Sequence, residues 1–171
     1  LIYFKINCFL ILNTSIYSQN INIEAINKVD SYIGLIKNKN IGLVTNHSSK
    51  FYNTNLEIHL LDSLLNLNIS VNAIFAPEHG FRGDLDAGEK IYNSIDSKTG
   101  IPIISLYGSK RKPDSKDLEN IDLILFDLQD VGVRFYTYLS TLHYVMESCA
   151  ENNIEIICLL YTSPSPRDLY R

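Results

Sequence analysis

The residues best suited to chemistry stand in three short polar segments, and each segment directly follows an apolar run. The segments read TNHSS at 45–49, PEHGFRG at 77–83 and DLQDVGVR at 127–134. Together they offer carboxylates, imidazoles and guanidinium groups. Acid–base cleavage of a glycosidic bond needs a pair of carboxyl groups, and an arginine can bind a substrate carboxylate or phosphate through two hydrogen bonds.

Glu78 is the strongest candidate for a general acid or base. Pro77 restricts the backbone before it, and the glycines at 80 and 83 allow a loop to fold closely around it. Phe75 and Phe81 provide an apolar surrounding, which favours the protonated carboxyl that a general acid requires. The alternative is a solvated glutamate or one that caps a helix.

A second catalytic carboxylate is expected from Asp127 or Asp130, although aspartates at a strand end also commonly bind the amides of their own loop. Arg134 either binds an anionic group of a substrate or forms an internal ion pair with one of these aspartates. Tyr136 and Tyr138 are candidates for stacking on a sugar, and one of the two is expected in the core.

A metal site built from His47, Glu78, His79 and Asp130 is the less favoured interpretation. Adjacent residues of an extended segment point to opposite sides, so Glu78 and His79 do not readily share one ion. The sequence has neither an HExxH motif nor paired cysteines with zinc spacing. We therefore predict no metal and no cofactor. Two further histidines fall on predicted helices and are expected to be structural, namely His59 and His143.

The elements that position these residues alternate between strand and helix. Near-continuous apolar runs predict five strands, and apolar residues at helical spacing predict the helices between them. This pattern predicts an α/β fold with a mostly parallel sheet covered by helices on both faces. The predicted strands are 41–44, 71–76, 101–106, 123–126 and 154–160, and the predicted helices are 23–37, 56–65, 117–120 and 138–149. Residues 84–100 are predicted to form a long loop, of the kind that often serves function.

Because parallel strands end at a shared edge, the three polar segments are expected to converge there. The net charge of −4 and a pI of about 5.5 argue against a nucleic-acid-binding protein. Cys149 and Cys158 fall on a predicted helix and a predicted strand, where they are expected to behave as small buried hydrophobic residues.

The N-terminal segment resembles the end of a secretory signal peptide. Lys5 precedes an apolar stretch at 6–16, and small polar residues at 15–19 predict cleavage near Ser18. The apolar stretch is short for a membrane span, so we expect a periplasmic or secreted protein without a stable span after cleavage. Since the first residue is Leu1 rather than methionine, we expect the segment to be incomplete.

Four stretches closely resemble one bacterial family, formerly grouped under a domain of unknown function and linked to exo-β-N-acetylmuramidases. These enzymes remove N-acetylmuramic acid from the non-reducing ends of peptidoglycan fragments. The resemblance covers roughly residues 24 to 160. Its motifs are long and occur in the same order, which makes it specific. The stretches are VTN at 44–46, FAPEHGFRG at 75–83, ISLYG at 104–108 and FDLQDVGVRFYTY at 126–138.

The resemblance implies a Rossmann-like N-terminal domain, a smaller C-terminal domain and a cleft between them. It implies Glu78 as the catalytic acid and muramyl saccharides derived from peptidoglycan as substrates. From the resemblance and the residues together, we predict catalytic roles for Glu78, Asp130 and Asp127. The predicted substrate-binding residues are Asn46, His79, Arg82, Gln129, Arg134 and Tyr136.

The chain departs from the family pattern after the fifth predicted strand. Where the family continues with a segment similar to Asp-Arg-Pro-Asn-Pro, this chain reads YTSPSPRD at 161–168. We therefore expect a Rossmann-like domain at 19–160, a non-native tail at 161–171 and a missing C-terminal domain, which would leave this chain inactive. Two other functions stay open, a non-catalytic domain that binds cell-wall sugars and a metal-dependent hydrolase.

Overall fold

The fold was obtained as a computed structural model, which describes residues 29–53, 56–77, 81, 94–129 and 137–159. The predicted signal segment and tail lie outside these residues. No helix in the described ranges is long and apolar enough to cross a membrane. The helices are α1 (Val29–Ile36), α2 (Leu60–Asn66) and α3 (Tyr138–Asn152). The strands are β1 (Asn40–Thr45), β2 (Lys50–Asn53), β3 (Leu56–His59), β4 (Ser70–Ala76), β5 (Ser94–Ile95), β6 (Pro102–Ser105), β7 (Leu123–Asp127) and β8 (Glu155–Cys158).

One mixed sheet organises the fold, with the strand order β5-β6-β4-β1-β7-β8. Strands β6, β4, β1, β7 and β8 pair in parallel, and the short β5 pairs antiparallel to β6 at the edge. Counted along the chain, the parallel strands stand in the order 3-2-1-4-5, which is the Rossmann order. The predicted α/β class with a mostly parallel sheet is confirmed.

Side chains alternate between two cores, one on each face of the sheet. Along β7, Leu123 and Leu125 face one core while Ile124 and Phe126 face the other. The first core packs against α1 and α2, and we call it the α1/α2 core. The second core receives Val145 and Cys149 of α3, and we call it the α3 core. Because both faces need apolar side chains, the strands are apolar at nearly every position.

An asparagine or glycine in the left-handed region precedes each parallel strand. These residues stand two or three positions before the strand and turn the chain out of the preceding helix or loop. Asparagine tolerates positive φ better than most residues with a side chain, and glycine has no Cβ to obstruct it. The residues are Asn38 (φ 63°), Asn68 (φ 57°), Gly100 (φ 75°), Asn120 (φ 61°) and Asn153 (φ 56°).

Three local predictions were wrong in part. Residues 56–59 form strand β3, paired with β2 in a hairpin, and the helix predicted from 56 begins only at Leu60. Cross-strand pairing with residues 50–53 competes with the helical periodicity and prevails there. The predicted helix at 117–120 is a run of turns that ends at Asn120, and strand β5 interrupts the predicted loop 84–100.

Candidate active site at the carboxyl edge of the sheet

The carboxyl ends of the parallel strands form one edge, and β1 and β7 are neighbours at its centre. In a Rossmann sheet this is the position where the strand order reverses and a crevice opens for ligands. Thr45 and Asp127 are register partners at the ends of these two strands. Residues that follow either strand therefore lie where this kind of sheet is expected to bind a ligand, a position that we call the crevice.

Asn46 directly follows β1 and is 2% exposed. Its Nδ2 donates to the hydroxyl of Tyr138 at 3.0 Å, and its Oδ1 accepts from both the amide and the hydroxyl of Ser48, at 3.0 and 2.7 Å. Its main-chain carbonyl lies 2.9 Å from Nε2 of His59. The side chain and the backbone of Asn46 are thus both fixed by partners from separate parts of the chain.

A buried hydroxyl relay joins the ends of β1 and β7. The hydroxyl of Thr45 donates to Oγ of Ser49 at 2.6 Å, and Ser49 in turn donates to the main-chain carbonyl of Asp127 at 3.0 Å. Thr45, Ser49 and Asp127 are 0, 4 and 1% exposed. The relay extends the contact between the strands at the point where their backbone pairing ends.

Asp127, which is buried, and Gln129, which is partly buried, form a second arrangement on the β7 side. Nε2 of Gln129 donates to Oδ1 of Asp127 at 2.7 Å and to the main-chain carbonyl of Leu159 at 3.1 Å. Gln129 thereby connects the end of β7 to the residue after β8. Burial, followed by the negative charge of Asp127, raises the pKa of Tyr32 on α1 above the ordinary range. The Asp127 carboxylate therefore exerts its field on the α1 side of the sheet.

The structure brings together the predicted site residues that it describes. Asn46, Asp127 and Gln129 all lie at the adjoining ends of β1 and β7. Strand β4, the other neighbour of β1, ends at Ala76, and the buried Pro77 follows it. The remaining predicted residues lie outside the described ranges, and their roles stay predictions: Glu78, His79, Arg82, Asp130, Arg134 and Tyr136.

Three residues at this edge were not among the predicted site residues, namely Tyr32, Ser49 and His59. His59 was predicted to be structural on a helix, but it ends β3 and caps α2 by accepting a hydrogen bond from the amide of Leu61 at 3.2 Å. Its ring also packs edge-on against Phe81, with the centroids 4.9 Å apart. The only signal for Ser49 was its place in the polar segment 45–49, and the only signal for His59 was a polar residue between the apolar Ile58 and Leu60. Nothing in the sequence indicated a role for Tyr32, since it follows the ordinary apolar spacing of α1.

Among the described residues, neither the cysteines nor a group of metal-binding side chains contributes to this edge. Cys149 is buried in the α3 core, where desolvation raises the pKa of its thiol to about 12, while Cys158 is partly exposed. Within the described residues, no group of three or more His, Cys, Asp or Glu side chains could hold a metal ion. His47 is exposed, and the other members of the less favoured metal site lie outside those residues.

Comparison with known proteins gives the family. The model for the exo-beta-N-acetylmuramidase NamZ N-terminal family matches residues 41–166. The chain belongs to this family. It is 45% identical over 129 residues to the peptidoglycan beta-N-acetylmuramidase NamZ of Bacillus subtilis (strain 168), an alignment that covers 75% of this chain and 31% of that protein.

Two solved structures from Bacteroides fragilis NCTC 9343, both of DUF1343 family proteins, share the fold. One is 40% identical with a TM-score of 0.67, covering 83% of this chain and 35% of the other. The second is 36% identical with a TM-score of 0.71, covering 85% of this chain and 36% of the other. The chain thus spans about a third of the length of the relatives that it matches.

Proposed function

We propose that this chain is the Rossmann-like part of a glycoside hydrolase that releases N-acetylmuramic acid from the non-reducing ends of peptidoglycan fragments. The single observation that carries the proposal is the 45% identity to a peptidoglycan beta-N-acetylmuramidase across three quarters of the chain. The crevice between β1 and β7 supports it, because Asn46, Asp127 and Gln129 lie together where this type of sheet binds ligands.

In this proposal Glu78 is the general acid that protonates the leaving glycosidic oxygen. It comes two residues after the end of β4, the strand that pairs with β1. Strand β4 runs parallel to β1 and ends at the same edge of the sheet, which supports this assignment. General acid catalysis of this kind contributes on the order of a hundred- to ten-thousandfold to a rate.

The burial of Asp127 favours Asp130 as the second carboxylate. Asp127 is 1% exposed and its Oδ1 is held by the Gln129 amide, so it is poorly placed to meet a sugar or a water molecule. We propose that Asp127 acts mainly by orienting Gln129. Asp130, which follows in the same segment, is then the group that activates water or stabilises the oxocarbenium-like transition state.

Substrate binding is assigned to amide, guanidinium and aromatic groups around the crevice. The lactyl carboxylate of muramic acid distinguishes this sugar from N-acetylglucosamine, and a guanidinium can hold it through two hydrogen bonds. We propose Arg134 or Arg82 for this contact. The other proposed binding residues are His79, Gln129 and Tyr136. Asn46 is 2% exposed with both ends of its side-chain amide hydrogen-bonded, so we propose that it shapes the crevice without contacting the sugar. A peptidoglycan substrate and the signal-like N-terminal segment both favour a periplasmic or secreted location.

The test compares the chain with a fusion in which the remaining part of the Bacillus subtilis relative follows it. Both proteins are incubated with a chromogenic β-N-acetylmuramide, and liberated N-acetylmuramic acid is identified by mass spectrometry. We expect release by the fusion and a loss of at least about a hundredfold in kcat for Glu78→Gln. His143→Asn changes an exposed histidine of α3 that is not among the predicted site residues and serves as the matched control.

Each alternative function predicts a different result in the same experiment. If Glu78→Gln retains the wild-type rate, the catalytic role of Glu78 is refuted. Calorimetric binding of the muramide without any release by chain or fusion would identify a sugar-binding domain. Release that disappears with a chelator would identify a metal-dependent hydrolase.

A further inference from the structure

His59 lies where β3 ends and α2 begins, and both of its ring nitrogens contact main-chain groups. Nδ1 is 3.2 Å from the amide of Leu61, and Nε2 is 2.9 Å from the carbonyl of Asn46. An amide can only donate and a carbonyl can only accept. The two partners therefore select the neutral imidazole with its proton on Nε2, so that Nδ1 accepts and Nε2 donates.

The ring that makes these contacts is held in place on other sides. His59 is 9% exposed, and Phe81 packs edge-on against it with an interplanar angle of 83°. The backbone beside it is fixed because the amide of Leu60 donates to the carbonyl of Ser49 at 2.8 Å. Rotation of the imidazole would break both of its hydrogen bonds, so the ring is a rigid link between the β2–β3 hairpin and Asn46.

Asn46 depends on this link because its carbonyl is not part of the regular sheet ladder. Strand β1 ends at Thr45, and the carbonyl of Asn46 accepts from His59 and, at a longer 3.3 Å, from the amide of Ser49. The direction of that carbonyl sets the peptide plane at residue 46. Holding this carbonyl restricts the backbone of Asn46, the residue whose side-chain amide donates to the hydroxyl of Tyr138.

We infer that His59 is a positioning residue, which acts from the hairpin to fix Asn46 at the crevice and does not itself contact the substrate. The inference deepens the proposed function, since it rests on that function for the role of Asn46 in shaping the crevice that receives a muramyl sugar. The hydrogen-bond geometry at Asn46 can nevertheless be measured without any ligand.

Two substitutions separate the two ring contacts. In His59→Asn the side-chain amide ends near the position of Nδ1, so it can still cap α2 but cannot reach the Asn46 carbonyl. In His59→Gln the longer side chain reaches the position of Nε2 and can donate to Asn46, while the cap is lost. Both variants remove the aromatic contact with Phe81, so any difference between them reports the hydrogen bonds.

The measurement is hydrogen exchange by NMR on the full chain, read at the Asn46 side-chain amide and at the Leu61 main-chain amide. For His59→Asn we expect the Asn46 amide to exchange at least about fivefold faster, as loss of one hydrogen bond predicts, while Leu61 stays protected. For His59→Gln we expect the Leu61 amide to exchange faster while the Asn46 side-chain amide stays protected. His143→Asn should change neither signal.

The inference is overturned if Asn46 exchanges at the wild-type rate in His59→Asn, or if His59→Gln accelerates it as much. Titration with N-acetylmuramic acid then tests the functional part, with affinity expected to fall about fivefold in His59→Asn and less in His59→Gln. If the fusion with the remaining part of the Bacillus subtilis relative binds no muramyl sugar but the exchange pattern holds, the proposed function fails and the positioning role stands.

Discussion

Gly42 lies in the middle of β1, and the structure indicates why no larger residue fits there. A Cβ at this position would come within 2.5 Å of Cδ1 of Ile124, 2.9 Å of Cε2 of Phe75 and 3.3 Å of Cγ2 of Ile121. Ile124 and Phe75 are both 0% exposed, so neither has free space into which it can move. Gly42→Ala should therefore strain the α3 core beneath β1, the strand that leads into Asn46.

Overpacking of a buried site costs about 1–3 kcal/mol of unfolding free energy, and we expect the upper half of that range because two neighbours are involved. For a chain of this size, each kcal/mol lowers the melting temperature by about 2–4 °C. Ile124→Val removes the Cδ1 atom that is nearest to the new methyl group. Alone this substitution should cost about 0.5–1.5 kcal/mol, but combined with Gly42→Ala it should recover about 1 kcal/mol.

Urea denaturation followed by circular dichroism measures these differences, since the chain has no tryptophan for a fluorescence signal. Gly34→Ala is the matched control, because a Cβ at this exposed position in α1 meets nothing within 4 Å. It should stabilise the protein by about 0.5–1 kcal/mol through the better helix propensity of alanine. If Gly42→Ala costs less than about 0.5 kcal/mol, or adds to Ile124→Val without coupling, the packing argument is wrong.

Two further predictions concern the buried groups at the crevice. Ser49→Ala should lower the unfolding free energy by about 2 kcal/mol, because it leaves the Thr45 hydroxyl and the Asp127 carbonyl without their relay. The double variant with Thr45→Val should cost less than the sum of the single variants in urea denaturation, and strict additivity would contradict the relay. Because the pKa of Tyr32 is raised in the folded state, the unfolded chain loses the phenolic proton at a lower pH than the folded chain does. The free energy of unfolding therefore falls as the pH rises above about 10. Tyr32→Phe should make that alkaline decline shallower in pH-dependent urea titrations, and an unchanged slope would contradict it.

Local sequence patterns determined which elements form and which face each one buries. The apolar runs predicted the five parallel strands, and the spacing of Val145 and Cys149 predicted the buried side of α3. These predictions succeed because burial on a strand or helix depends on residues that are close in the sequence. The left-handed asparagines and the glycine before the strands are equally local, although their regular recurrence becomes visible only in the structure.

The tertiary structure alone decided which strand ends become neighbours. The order 3-2-1-4-5 places Asp127 beside Thr45, and no local pattern states that the fourth parallel strand pairs with the first. The hairpin at 50–59 was missed for the same reason, since its pairing partner overrides the helical spacing of its own residues. The roles of Ser49 and His59 exist only after these long-range pairings form. The sequence determined the chemical groups and the family resemblance, and the strand order determined which of the described groups meet, because backbone pairing between distant segments fixes distances that local propensity cannot encode.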